Sequence, residues 1–344
     1  MESVDLRSDT VTRPTPAMRE AMAKAPVGDD VYGEDPTINR LQEMAARLLG
    51  KEAGLFVASG TMGNLVGVLS HCQRGDEVIV GKKNHVFLHE AGGISVLGGV
   101  HSSQLTNLPD GSLDLDDVVN AIRFDDPHEP VTRLVCLENT HNACGGTVQS
   151  PETIRKISDF AHSRNLSVHL DGARLFNAVA ALGCKPIDLT GSVDSVTFCL
   201  SKGLCAPVGS VLCGSKAFIA RALRWRKMLG GGMRQAGILA AAGIVALETM
   251  TARLGEDHAR AKKLADGLST VPGLVLSGAP ETNMVFLSLA PEVPFATEEF
   301  IEKLAACGVL IGSTGERSYR LVTHYWIDDV GVERTVAAFH ELLH

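Results

Sequence analysis

The sequence predicts an α/β fold. Short apolar runs without strict alternation recur along the first two-thirds of the chain, and amphipathic stretches of helical period lie between them. Strands that lack an in–out alternation are buried on both faces, and intervening helices supply the cover. From about Gln235 the pattern changes, which marks a second, smaller lobe.

The strand candidates are residues 55–58, 77–80, 94–97, 134–137, 167–171, 195–198 and 210–213. Between them, Ile38, Leu41, Ala45 and Leu48 fall on one helical face. Ile154, Ile157 and Phe160 do the same behind Ser150-Pro151, a cap followed by a proline suited to a first helical turn. A proline-free helical stretch runs from about Gln235 to about Leu268. After Pro272 come strand-like runs at 284–289, 309–311 and 319–323, with a helical pattern around 297–306. The end, 330–343, reads as a helix with Val332, Val336 and Phe339 inward. The boundary falls near Glu248, giving a large domain over 17–248 and a small α+β domain formed by 1–16 with 249–344.

Composition narrows the function classes. Of the 344 residues, 45 % are hydrophobic and 21 % charged, the balance of an ordinary globular protein. The net charge of −8 argues against nucleic-acid binding but permits a local cationic pocket. The first residues lack the apolar core of a secretory signal, and 238–247 is about half the length needed to span a bilayer. Eight cysteines occur without CxxC or zinc-like spacing, several in apolar runs such as those around Cys136 and Cys199. No metal or membrane partner is expected. The compartment reads as reducing and cytoplasmic, with a mitochondrial address left open if the start is trimmed.

Three motifs could carry chemistry. In His169-Leu170-Asp171-Gly172-Ala173-Arg174 an apolar run ends in an acid, where strand ends of parallel sheets face ligands. A helix-capping Asp is an equal alternative for this motif alone. Lys202 follows an apolar strand and precedes a glycine. Desolvation there would lower its pKa and free the amine for a Schiff base, although a lone lysine is more often structural. Ser59-Gly60-Thr61-Met62-Gly63-Asn64 leads from a strand into a helix, an arrangement that turns amide N–H groups toward an anion. Taken together, a carboxylate, a lysine and a phosphate cradle are what pyridoxal 5'-phosphate requires. No dinucleotide fingerprint follows any strand candidate, and no P-loop occurs.

The segments 6–14, 27–33, 137–142, 169–174 and 201–203 occur in order, followed by 224–228, 230–235 and 320–324. Together they resemble the threonine aldolases, more closely the low-specificity L-threonine aldolase group, over about Val4 to Trp326. The resemblance implies the fold-type-I pyridoxal-phosphate architecture: a mostly parallel seven-stranded sheet between helices, a small α+β domain, and a homo-oligomer, a catalytic dimer and usually a tetramer. It implies Lys202 as the Schiff-base lysine and Asp171 as the partner of the pyridine nitrogen. Gly60 and Thr61 would bind phosphate, and His85 would stack on the ring. Ser8, Arg174 and Arg320 would hold the substrate carboxylate. Lys227 and Arg234 would reach the neighbouring subunit's cofactor, and Tyr32 and His128 would lie near the substrate side chain.

Without the resemblance, His85 after Lys82-Lys83-Asn84 reads as a surface histidine. Arg317, between Glu316 and Ser318, reads as a solvated loop charge, so Arg320 is the preferred clamp. His141-Asn142 suggests hydrogen bonding near the strand end that orients Asp171. The implied reaction cleaves Cα–Cβ of L-threonine or L-allo-threonine to glycine and acetaldehyde, with His85, His128 or a water as base. Transamination or β-elimination on the same cofactor is the first rival. A nicotinamide oxidoreductase and a binding protein with a dead site are weaker alternatives.

Overall fold

Seven strands build the central sheet in the computed structural model, which describes residues 3–343. They are β1 (Ala53–Val57), β2 (Asp76–Gly81), β3 (His101–Leu105), β4 (Val131–Glu138), β5 (Ser167–Asp171), β6 (Ser195–Cys199) and β7 (Ser210–Gly214). Their spatial order is β1-β7-β6-β5-β4-β2-β3. Only β7 runs antiparallel to its neighbours, β1 and β6. The fold is therefore the α/β class the apolar runs predicted, with the mostly parallel seven-stranded sheet that the resemblance implied.

Six of the seven expected strands are present, and the exception is instructive. Residues 94–97 belong to a helical turn, Gly93–Val96, in which Ile94 is buried in a cluster with Leu65 and Leu69. The true strand is β3, His-Ser-Ser-Gln-Leu, at the edge of the sheet and paired only with β2. An edge strand keeps one side in water, so it can be polar and gives no hydrophobic run.

The helical stretch from Gly237 is continuous to Leu268 but not uniform. A π-helical turn, Ala246–Met250, and a 3₁₀ turn, Thr251–Arg253, join Gly237–Val245 to Leu254–Leu268. The rod is long and apolar enough to cross a membrane, yet just over half of that window is buried in the protein, and Ala240, Ala242 and Leu247 enter the main core. A second core gathers Leu264, Leu287, Phe300, Leu321 and Phe339 around a four-stranded antiparallel sheet. Val4 and Leu6 join it, because Val4–Asp5 pairs in parallel with Val309–Leu310. That pairing carries residues 7–9 to the mouth of the central sheet.

Candidate functional site

The carboxyl ends of β4 and β5 deliver Glu138 and Asp171 side by side, in register across the sheet. Across them lies the helix Gly60–His71. Two glycines set its approach. A Cβ on Gly63 would stand 2.5 Å from Thr197 Cγ2, and one on Gly67 would stand 2.8 Å from His169 Cε1. With nothing larger than hydrogen at those positions, the helix sits low enough for Asn64 to reach the sheet. Its Nδ2 donates to Asp171 Oδ2 and to Glu90 Oε1, each at 2.8 Å. The amide of Ala173 donates to Asp171 Oδ1 at 3.0 Å. Both oxygens of this 3 % exposed carboxylate therefore accept hydrogen bonds.

His85 opens a short helix, His85–Leu88. Its amide donates to Glu138 Oε2 at 2.6 Å, and its Nδ1 lies 2.8 Å from Glu90 Oε1. The ligating atoms of His85, Glu90 and Asp171 all fall within 4.8 Å of one another. The Glu90 bond raises the pKa of His85 against the opposing effect of burial; Asp171 raises it further and Lys202 lowers it. One imidazole thus feels both the carboxylate and the amine, which lie 31 positions apart in sequence (202 − 171). Burial raises Glu90 as well, although its bonds to His85 and Asn64 pull the other way. Burial, reinforced by the charge of Asp171, pushes Glu138 up to about 7.

Lys202 is half-buried in the turn after β6. Its carbonyl accepts from Thr12 Oγ1 at 2.9 Å and from the amide of Cys205 at 2.9 Å. Beside it Asp9 is fully buried and gripped by a bidentate fork, Arg174 Nε at 2.8 Å and Nη2 at 2.6 Å. Burial would raise Asp9, but Arg174 outweighs it and holds the carboxyl far below its usual range; Lys202 and Arg320 push the same way. Three cations surround one anion here, so an incoming carboxylate would meet a positive field. Arg320 Nη1 donates to Asn142 Oδ1 at 2.6 Å, while its Nε is buried with no partner. Burial, then the like charge of Arg174, lowers the Arg320 pKa.

The structure brings together most of the expected residues. Lys202, Asp171, His85, Arg174 and Arg320 are linked by the contacts and couplings just described. Ser8 adjoins them, capping the turn Asp9–Val11 through the amide of Thr10. Gly60 and Thr61 begin the helix Gly60–His71, whose cap Ser59 accepts from Met62, so their amides open the first turn. Arg174 commits one edge of its guanidinium, Nε and Nη2, to Asp9, so only its remaining donors are left for a ligand.

Four residues stay apart within this chain. Tyr32 is 75 % exposed. Lys227 and Arg234 are also exposed, and Arg234 pairs with Asp29 at 3.0 Å. His128 has a side chain 90 % exposed and bonded to Asp126, on a loop that also leaves Phe124 in solvent. Two further readings need correction. Arg317 is no solvated loop charge: it donates to the carbonyls of Phe295, Ala290 and Val293 at 2.7–2.8 Å. Its flanking polar residues hid the fact that three carbonyls of the turn 290–295 converge on it. Nor does His141-Asn142 orient Asp171. His141 bonds Asn84 and Asn107, and Asn142 holds Arg320.

Asn64, Glu90, Glu138 and Asp9 have no role in the sequence reading. Glu138 had a signal, since it ends a strand as Asp171 does. Glu90 sits five residues after His85 with no pattern to separate it from a surface acid.

Comparison with known proteins agrees with this geometry. The profile of the β-eliminating lyase family matches residues 5–291. The low-specificity L-threonine aldolase 1 of Arabidopsis thaliana is 48 % identical over 349 positions, spanning 100 % of this chain and 97 % of the relative. The low specificity L-threonine aldolase of Escherichia coli K12 is 51 % identical over 321 positions, 93 % of each. Among solved structures, the threonine aldolase of Leishmania major superposes with a TM-score of 0.83 at 21 % identity, covering 99 % of both chains; that likeness speaks to the fold.

Proposed function

The chain belongs to the threonine aldolases within the β-eliminating lyase family, and we propose that it cleaves Cα–Cβ of L-threonine and L-allo-threonine, releasing acetaldehyde and glycine. The observation that carries the reading is the placement of His85 and Asp171, whose side-chain polar atoms lie within 4.8 Å of one another, beside the strand end that Lys202 follows. An acid beside an imidazole, with an amine at the adjoining strand end, suits a pyridine ring stacked on that imidazole.

The residues fit pyridoxal 5'-phosphate. Asp171 receives two donors and keeps further lone pairs for a protonated ring nitrogen. Lys202 supplies the amine for the aldehyde carbon. The amides of Gly60 and Thr61 suit the phosphate, and a Cβ on Gly60 would be 2.8 Å from Cys199 Sγ, so that turn stays bare. When bound, the cofactor supplies an electron-poor ring that accepts the pair released at Cα.

The chain's own groups do the rest. Arg320, with its unpartnered buried Nε, receives the substrate carboxylate, helped by Ser8 and by whatever face of Arg174 Asp9 leaves open. Fixing that carboxylate limits rotation about the bond from Cα to nitrogen and so selects which Cα bond would break. His85 is tied to Glu90 through Nδ1, so Nε2 is the nitrogen that takes the β-hydroxyl proton. Cα–Cβ breaks as the aldehyde C=O forms, and a proton returned to Cα completes glycine.

Val31, Tyr32, Met228, Lys227 and Arg234 lie on adjoining exposed segments, joined by Asp30–Arg234 and Asp29–Arg234 hydrogen bonds. We read this face as the contact with a second copy, through which Tyr32, Lys227 and Arg234 reach the neighbouring site. His128 is assigned to the substrate side only in such an assembly. Eight free cysteines suit a reducing, cytoplasmic setting.

Incubation with L-threonine and cofactor, assayed for acetaldehyde and glycine, tests the reaction. Formation of 2-oxobutyrate and ammonia instead would assign β-elimination.

A further inference from the structure

A chain of buried polar side chains runs beneath the site, and its members are absent from the function just described. His71 Nε2 lies 2.8 Å from Ser195 Oγ, and Ser195 Oγ lies 2.8 Å from His169 Nδ1. His169 Nε2 lies 3.2 Å from Asn64 Oδ1, and Asn64 Nδ2 bonds Asp171 and Glu90. Ser195 and His169 are 0 % and 1 % exposed, and Asn64 is 1 % exposed. Water does not reach Ser195, His169 or Asn64, so the hydrogens on these three must be assigned within the chain itself, with the half-buried His71 at its outer end.

The assignment has one solution. Two carboxylates face the same end of Asn64, so that end is the amide NH₂ and the other is the carbonyl. The carbonyl requires a proton on His169 Nε2. A neutral imidazole then has a lone pair on Nδ1, which must accept from the Ser195 hydroxyl. With its hydrogen committed, Ser195 Oγ accepts from His71 Nε2. Burial, together with His169 in the case of His71, holds both imidazoles in the neutral form, at about 3 for His71 and about 4 for His169. Every hydrogen in the relay therefore points toward Asp171 and Glu90. From the other side the amides of Ala173 and the Nδ1 of His85 point at the same two groups.

We propose that Asn64, His169, Ser195 and His71 are positioning residues whose oriented hydrogen bonds fix the Asp171 side chain in place as the acceptor facing the cofactor's ring nitrogen. The inference rests on the function proposed above and deepens it. None of the four touches substrate; they act through Asp171. The same logic explains why Gly67 has no side chain: a Cβ there would meet the His169 ring at 2.8 Å and push it off Asn64.

The test begins with the full chain carrying ¹⁵N-histidine, with and without cofactor. The relay requires His169 as the Nε2–H tautomer with a hydrogen-bonded Nδ1 lone pair, unchanged from about pH 5.5 to pH 8.5. An Nδ1–H tautomer or an imidazolium overturns it, and this readout does not depend on the cofactor reading. The second arm is Ser195→Ala, which removes one hydroxyl and little volume. Loss of orientation should lower kcat about ten-fold and weaken cofactor binding several-fold, while KM for L-threonine stays within about two-fold because the carboxylate clamp is elsewhere. Unchanged kcat and cofactor affinity, or a fall expressed in KM alone, overturns the proposal. If the reaction assigned above were wrong, the tautomer result would stand and only the kinetic arm would lose its meaning.

Discussion

The two ends of the site are built differently. The nitrogen end is carried by the central sheet and the helix on it, and Asp171, Asn64 and His169 are buried with most of their bonds made. The carboxylate end is assembled from three distant pieces: the N-terminal segment gives Ser8 and Asp9, the loop after β5 gives Arg174, and the small lobe gives Arg320. It leaves one buried donor, Arg320 Nε, unpaired. The nitrogen end also leaves Glu90 Oε2 and Thr197 Oγ1 without a partner, but both are neighbours of the bonded Asp171–Asn64 pair rather than cationic donors. A site with an unmet donor suits a ligand that comes and goes.

Lys202 lies between the ends, and its removal should be the largest effect. Lys202→Ala should cut turnover by on the order of a thousand-fold and leave a protein that borohydride cannot link to its cofactor. A mass spectrum showing the reduced adduct in the variant would break the assignment.

The comparison itself is sharpened by a matched pair. Asp171→Ala should lower kcat by about a hundred-fold or more with little change in KM. Arg320→Ala should act mainly through KM, raising it about ten- to a hundred-fold, the range of a charge-assisted hydrogen bond. Steady-state kinetics showing the reverse split would mean the two ends had been exchanged.

Asp9→Asn tests the carboxylate end as structure. It leaves Arg174 buried without its charge partner and should destabilise the fold by about 3–5 kcal/mol, measurable by denaturant unfolding. Because the Asp9 carboxyl is held below its usual value, the pair's stability is complete above the unfolded-state pKa near 4. That stability is lost as pH falls toward the depressed folded value. Wild type and variant should therefore converge in acid.

The smallest effect belongs to Glu90→Gln. Glu90 raises the His85 pKa, so its replacement should move the acid limb of kcat/KM to lower pH. The His85–Glu90 contribution to stability is present below the unfolded-state value near 6.5 and is lost as pH rises through the raised folded pKa. A pH–rate profile that does not move would remove His85 as the base.

Asp171 and Lys202 were legible because each stands where an apolar strand stops, a position that periodicity reveals. Glu138 obeyed the same rule. The edge strand His101–Leu105 was not legible, because its polarity follows from lying at the rim of a sheet, a property of neighbours. Arg317 failed for the opposite reason: polar neighbours made it look solvated, while three carbonyls from a distant turn gather around it.

The sequence alone determined the layering of strands and helices and the family, and it singled out Asp171 and Lys202 as the residues proposed for the cofactor, since these depend on local periodicity and long ordered motifs. Tertiary structure decided that Arg174 first answers Asp9, that Asn64 serves two carboxylates, and that a hydroxyl and two imidazoles stand behind Asp171. Those are questions of which donor meets which acceptor once water is gone. A linear chain carries no sign of that until folding brings residues more than a hundred positions apart, such as Asn64 and Asp171, within 2.8 Å.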